Sequence, residues 1–236
     1  MSFNINFLQT KLVKAKDLQN TEINWFKTNT PLDGLFGSGY AEGATAHVTG
    51  YRGCGKTTFL LQALDKFSEK SAFLSNEESI EQLGQKCKRL GVENVDIANM
   101  NNLDEILKVM EEYKFVVVDC FTGIVSDLKE KEIASTLISQ AKKFNCNLIV
   151  IFQMTKNLRE RGSAQIPHLF DQTIKLSSGV GSFFCMDCPV IMSTDKNRNG
   201  KTGNLIYNHG ESGFDFDSPW NYELLSELPK EAYKKV

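Results

Sequence analysis

The sequence predicts an α/β fold, a mostly parallel central sheet flanked by helices with an antiparallel extension near the C-terminus. Three observations carry that prediction. The stretch Gly50-Tyr51-Arg52-Gly53-Cys54-Gly55-Lys56-Thr57-Thr58 has the phosphate-loop spacing, a glycine, four free positions and then Gly-Lys-Thr. It lies between an apolar run, Ala44 to Val48, and an amphipathic stretch, Phe59 to Phe67, which is the strand-loop-helix context the motif needs. Phe115-Val116-Val117-Val118-Asp119 and Asn147 to Phe152 are nearly unbroken apolar runs, as expected of strands buried on both faces of a parallel sheet. Beyond Gln153 the pattern shortens to strands joined by tight turns, which is how antiparallel strands are connected.

Taken in order, residues 1 to 27 carry Phe3, Ile5, Phe7, Leu8, Leu12 and Val13 among lysines and read as an amphipathic arm. Such an arm packs on its own domain or docks on a neighbouring subunit. Pro31, Gly34, Gly37, Gly39 and Gly43 punctuate a turn-rich approach to the first core strand. After the phosphate-loop helix come a strand, Ser71 to Ser75, and a helix, Ser79 to Leu90, with Ile80, Leu83, Cys87 and Leu90 on one face and Gly91 closing it. A strand at Val95 to Ala98, a helix at Leu103 to Tyr113, the Phe115 run, a helix at Glu130 to Phe144 and the Asn147 run complete the alternation. Thr173 to Leu176, Phe183 to Met192 and Asn204 to Tyr207 form the antiparallel part. The expected division is an arm over 1–27, one core domain over 28–214 and a tail over 215–236.

The 236 residues suit one large domain, and 41% hydrophobic with 24% charged residues describes a water-soluble globular chain. The net charge of −2 excludes a globally basic nucleic-acid binder, so any such contact must come from a local patch. Six cysteines, most inside expected strands and helices, fit reduced, cytoplasmic usage. Cys185 and Cys188 form a lone C-x-x-C without a second pair, which reads as strand or loop cysteines rather than zinc ligands. No apolar run reaches the ~18 residues of a membrane span, and the polar N-terminus carries no signal-peptide core.

The chemistry follows from the loop. Glycines let backbone N–H groups from Gly50 to Thr58 turn inward on phosphate oxygens at a helix N-terminus. Lys56 reaches the β and γ phosphates of ATP, and Thr57 offers its hydroxyl to Mg²⁺. Asp119, ending a buried strand expected next to the phosphate-loop strand, is the second Mg²⁺ anchor. Glu77 and Glu78 end a neighbouring strand, where a carboxylate can polarise the attacking water; Glu77 is the candidate, since Glu78 reads equally as a first-turn helix acid. Gln153 ends the strand beside that of Asp119 and is placed to sense the γ phosphate. It opens a polar loop with Lys156, Arg159 and Arg161, by itself either solvated surface or a contact for a polyanion. Asn199-Gly200 is a turn signal, so Asp195 to Gly203 is at least a hairpin tip. The sharper reading gives Lys196 and Arg198, alternate residues on one side of a strand, to the γ phosphate of a nucleotide on an adjacent subunit.

These residues resemble a family. Leu32-Asp33 with Leu35 to Gly43 is similar to the LD…LLGGG…G entry of RadA (Sms), KaiC and related RecA-fold ATPases. Ser75 to Ser79 with Gln82, Arg89, Leu90 and Gly91 resembles RadA's SGEES…Q…R…LG. Met154-Thr155-Lys156 resembles its VTK loop and His168 to Asp171 its H-x-x-D. Lys196 to Gly200 resembles KNRFG of RadA and, through Gly203, KQRNGPTG of DnaB-type helicases. The resemblance implies a RecA-like P-loop NTPase core in a homo-oligomeric ring, usually hexameric, using ATP and Mg²⁺ to move along single-stranded DNA. Lys156, Arg159 and Arg161 would then face the pore, and Lys196 and Arg198 the neighbour's nucleotide. The implied function is a DNA-dependent motor, a helicase or branch-migration protein of recombination, repair or replication, with a recombinase or replisome partner. The alternative is a KaiC-like regulatory ring ATPase not acting on DNA. A strand-exchange filament and a small-molecule kinase fit less well, lacking long pairing loops and an arginine-rich lid. RadA's four-cysteine zinc ribbon and Lon-like domain have no counterpart in these residues, whose first cysteine is Cys54. Gln153 stands where RadA usually has His and DnaB-type proteins have Gln, Asn29 stands near a family Gly, and Asn199 replaces the Phe of KNRFG.

Overall fold

The computed structural model describes residues 14–18, 22–37, 39–154, 165–178 and 188–217. After a short 3₁₀ turn at Ala15–Leu18 come β1 (Trp25–Phe26), α1 (Asp33–Phe36) and β2 (Tyr40–Ala41), with β1 and β2 paired as an antiparallel ribbon. The core follows as β3 (Thr45–Gly50), α2 (Lys56–Lys66), β4 (Ser71–Ser75), α3 (Ile80–Leu90), β5 (Val95–Asn99), α4 (Leu103–Glu112), β6 (Phe115–Asp119), α5 (Glu130–Phe144) and β7 (Asn147–Gln153). The chain ends its described part with β8 (Gln172–Ser178), β9 (Cys188–Asn197), β10 (Asn204–Gly210) and β11 (Gly213–Phe214). Among the described residues the main sheet has nine strands in the order β11-β10-β9-β8-β3-β7-β6-β4-β5.

β5, β4, β6, β7, β3 and β8 run parallel, and β9, β10 and β11 extend the sheet antiparallel, as the change of pattern beyond Gln153 predicts. The parallel strands bury both faces because each face has its own helices. Val48, Ile149, Ile151 and Val117 pack with Phe59, Leu60 and Leu83 of α2 and α3, while Leu148, Val150, Val116 and Val118 pack with Ile106, Ile133 and Leu137 of α4 and α5. That double burial explains the unbroken apolar runs. No helix among the described residues is long and apolar enough to cross a membrane.

Two expectations change. Asp119's strand is not next to the phosphate-loop strand: β7 lies between β3 and β6. Strand order is set by long-range burial, which local patterns do not encode. Ile80, placed by periodicity on the buried face of α3, is 47% exposed, because it is the first helical residue and its side chain leans beyond the helix end. From Ser212 onward the sequence carries little pattern, yet Phe214 pairs in β11, and both it and Phe216 are buried against Phe59. Trp25 and Phe26, in the stretch read as the arm, pack against the core, with Phe26 edge-on to Phe115 at 5.2 Å.

Candidate functional site

The parallel strands end at one side of the sheet, and Lys56, Glu77 and Asp119 are gathered there. α2 begins at Lys56 with Gly55 as its N-cap at φ 89°, a left-handed conformation that favours glycine. Space gives the same answer: a Cβ on Gly55 would lie 2.9 Å from Phe214 and 3.1 Å from His209, whose rings stack on each other at 4.7 Å. The β10–β11 hairpin thus buttresses the loop, and Gln62 of α2 holds it by accepting from the Phe214 N–H at 2.8 Å. Burial and the nearby Arg89 charge lower the His209 pKa. Cys54 is buried and belongs to the core, so within the loop it can offer a ligand only its backbone; burial raises its thiol pKa. Tyr51, Arg52 and Gly53 are exposed, and Thr58 is buried. The Lys56 ammonium donates to the carbonyls of Gly50 and Tyr51, at 2.9 Å each.

Thr57 and Asp119 meet directly. The Thr57 hydroxyl donates to an Asp119 carboxylate oxygen at 2.7 Å, so the start of α2 spans the end of β7 to reach β6. These are hard oxygen donors beside a phosphate loop, a set that fits Mg²⁺. Burial pushes the Asp119 carboxyl up to about 6, and the charges of Glu77 and Glu78 add to this, against the Thr57 hydrogen bond and Lys56. The sign matters for stability. With an ordinary value of 3.8, the ionised carboxylate destabilises the fold, fully above about pH 6 and not at all below about pH 4. Asp119→Asn, without nucleotide or cation, is therefore expected to be more stable than the parent by about 1–3 kcal/mol at pH 7.5. Urea unfolding should show that gap close as pH falls towards 4, and a less stable variant at pH 7.5 would contradict the burial account.

The end of β4 is tied to β6 by Asn76, which sequence reasoning missed. Its side chain donates to the Cys120 carbonyl at 2.7 Å and accepts from the Cys120 N–H at 3.1 Å, while its own N–H donates to the Asp119 carbonyl. The buried Ser75 hydroxyl accepts from the N–H groups of both Glu77 and Glu78 and fixes the turn that carries them. The two acids then part. Glu78 pairs with Lys86 at 2.5 Å, and the Glu77 carboxylate accepts from the Gln153 amide. Lys56, Thr57, Asp119, Glu77 and Gln153 therefore form one constellation.

Lys196 and Arg198 are not part of it. Asn197 pairs with Gln172 and through it lies level with Ala46, about 13 Å before Gly50 at ~3.3 Å per strand residue. The Lys196 ammonium donates to the carbonyls of His168 and Phe170, at 2.9 and 2.5 Å. Burial and the Arg198 charge lower its pKa. Arg198 pairs with Asp171 at 3.2 Å. Between them, Asn197 fastens the hairpin: it donates to Phe36 and Lys201 carbonyls and accepts from Gln172 and the Asn199 N–H. Its close approach needs Gly37, where a Cβ would lie 2.8 Å from the Asn197 amide. The Lys-Asn-Arg-Asn-Gly motif was the available signal for Asn197, but only its cations were read as functional. Lys156, Arg159 and Arg161 lie outside the described residues, as does Cys185.

A family model described as "ATPase: KaiC" matches residues 26–104, which hold the phosphate loop and Glu77. The solved structure of a KaiC-like protein from Pyrococcus horikoshii superposes with a TM-score of 0.65 over 85% of this chain and all of that one, at 18% identity. The chain thus has a KaiC-like fold, and its residues 26–104 are similar to the KaiC ATPase model. Curated relatives called DNA repair protein RadA are similar to this RecA-fold domain along most of its length. That of Aquifex aeolicus is 29% identical over 74% of the chain, and that of Escherichia coli 26% over 83%. The domain spans 41% and 45% of those two relatives, so it matches less than half of each.

Proposed function

We propose that this RecA-fold domain hydrolyses ATP in a homo-oligomeric ring whose active sites are each completed by a neighbour, and that hydrolysis drives movement on single-stranded DNA. The observation that carries the assembly is the separation of Lys196 and Arg198 from their own phosphate loop. About 13 Å of strand exceeds the reach of an arginine side chain, so a nucleotide they serve belongs to another subunit.

The chemistry at each site follows from the constellation. Loop N–H groups and Lys56 bind the phosphates, Lys56 exchanging its two loop carbonyls for phosphate oxygens. Thr57 and Asp119 would hold Mg²⁺, which when bound supplies charge that neutralises the phosphates. Glu77, unlike the paired Glu78, is available to accept a proton from the attacking water. Gln153, hydrogen-bonded to Glu77, is placed to register the γ phosphate and its loss.

DNA enters through the similarity to proteins named for DNA repair, together with Lys156, Arg159 and Arg161 after Gln153. The net charge of −2 and the KaiC family model favour a second reading, a regulatory ring ATPase without DNA. Steady-state hydrolysis with and without single-stranded DNA across a salt series separates them. The motor predicts stimulation of about tenfold that fades as salt rises, because phosphate contacts release counterions. An unchanged rate in protein that forms rings would assign the regulatory function.

A further inference from the structure

We propose that Asp171 is the positioning residue for Arg198, dividing its carboxylate between the fold and the arginine. The inference rests on the reading above, in which Arg198 acts on a neighbour's nucleotide. One oxygen, Oδ2, accepts from the Thr45 N–H at 3.1 Å and the Thr45 hydroxyl at 3.0 Å, anchoring Asp171 to the start of β3. The other, Oδ1, accepts from Arg198 Nη1 at 3.2 Å and faces Lys142 at 3.5 Å. Asp171 is itself 7% exposed and so is fixed, whereas the Arg198 side chain is half exposed.

The backbone prepares this meeting. Thr194 points to the α1 face, where its hydroxyl donates to the Leu35 carbonyl. Strict alternation would send Lys196 to the same face. A register shift intervenes, since Thr173 pairs with Lys196 while Ile174 pairs with Thr194, leaving Asp195 as the extra residue of a bulge. Lys196 and Arg198 therefore emerge on the opposite face, beside residues 168–171, and Asn197 turns back to Phe36. The Arg198 N–H donates to the Asp171 carbonyl, and Arg198 Nη2 donates to the His168 carbonyl at 3.3 Å. A guanidinium has five N–H donors. Among the described residues two are engaged, which leaves three for a phosphate arriving from outside. The seat thus orients Arg198 without occupying it, which limits the freedom lost when a transition state forms.

Asp171→Asn separates the two roles. Its remaining oxygen can keep Thr45, while its amide presents a donor to Arg198 and Lys142. The variant alone is expected to bind ATP as the parent does and to hydrolyse it about 10- to 100-fold more slowly. Mixing it with Lys56→Ala subunits, whose phosphate loop is disabled but whose Arg198 seat is intact, should restore hydrolysis well above the sum of the separate rates. Arg198→Ala mixed with Lys56→Ala is the control pair. A parental rate for Asp171→Asn alone would overturn the proposal. So would a slow variant that Lys56→Ala fails to restore while the control pair is restored; Asp171 would then be only structural and the action of Arg198 across subunits would stand. Failure of both pairs would overturn that action and the positioning role together.

Discussion

Glu77→Gln is expected to lower ATP turnover by about 10²- to 10⁴-fold while leaving ATP bound, the range that loss of a general base produces. The expectation rests on the division between two adjacent acids. Glu78 is engaged by Lys86, and the Asn99 side chain donates to its carbonyl, so it is held towards α3. Glu77 is exposed, on a turn fixed by Ser75, and its carboxylate accepts a hydrogen bond from Gln153 of the constellation itself. Glutamine keeps the shape and the contact to Gln153 but cannot take a proton. Nucleotide titration and single-turnover hydrolysis on the same preparation check both halves. If Glu77→Gln turned over normally and Glu78→Gln did not, the assignment of the base would pass to Glu78.

Arg198→Ala is expected to cost about 10³- to 10⁵-fold in hydrolysis by the assembled protein, the contribution of an arginine acting on transition-state charge from a neighbouring subunit. Nucleotide affinity should change little, because Arg198 is remote from the phosphate loop of its own chain. The same substitution should leave the slow basal rate of a dilute, dissociated preparation unaltered. An equal loss in dilute and assembled protein would instead mean that Arg198 supports its own subunit's fold through Asp171.

The site was legible in the sequence where chemistry follows directly from position at a strand end. Lys56, Thr57, Asp119, Glu77 and Gln153 each sit at or just beyond such an end, and parallel strands of similar length bring those ends together. What the sequence did not reveal depends on register and on distant burial. The insertion of β7 between β3 and β6 has no local signature. β1, β2 and β11 have two residues each, too few to display a period, and they are held by Phe26, Tyr40 and Phe214 packing on the core. Alternation correctly puts Lys196 and Arg198 on one side, but which face that is depends on the bulge at Asp195. Asn76 and Asn197 had no role legible in the sequence because their value lies in partners 44 and 161 residues away.

The central claim is that the catalytic machinery is complete only across a subunit boundary, and the most direct test is the rate of ATP hydrolysis per subunit as protein concentration is raised, with oligomer size followed on the same samples. The account predicts a rate that climbs steeply as monomers give way to rings and then levels off. A rate per subunit that stays constant down to concentrations where the protein is monomeric would contradict it.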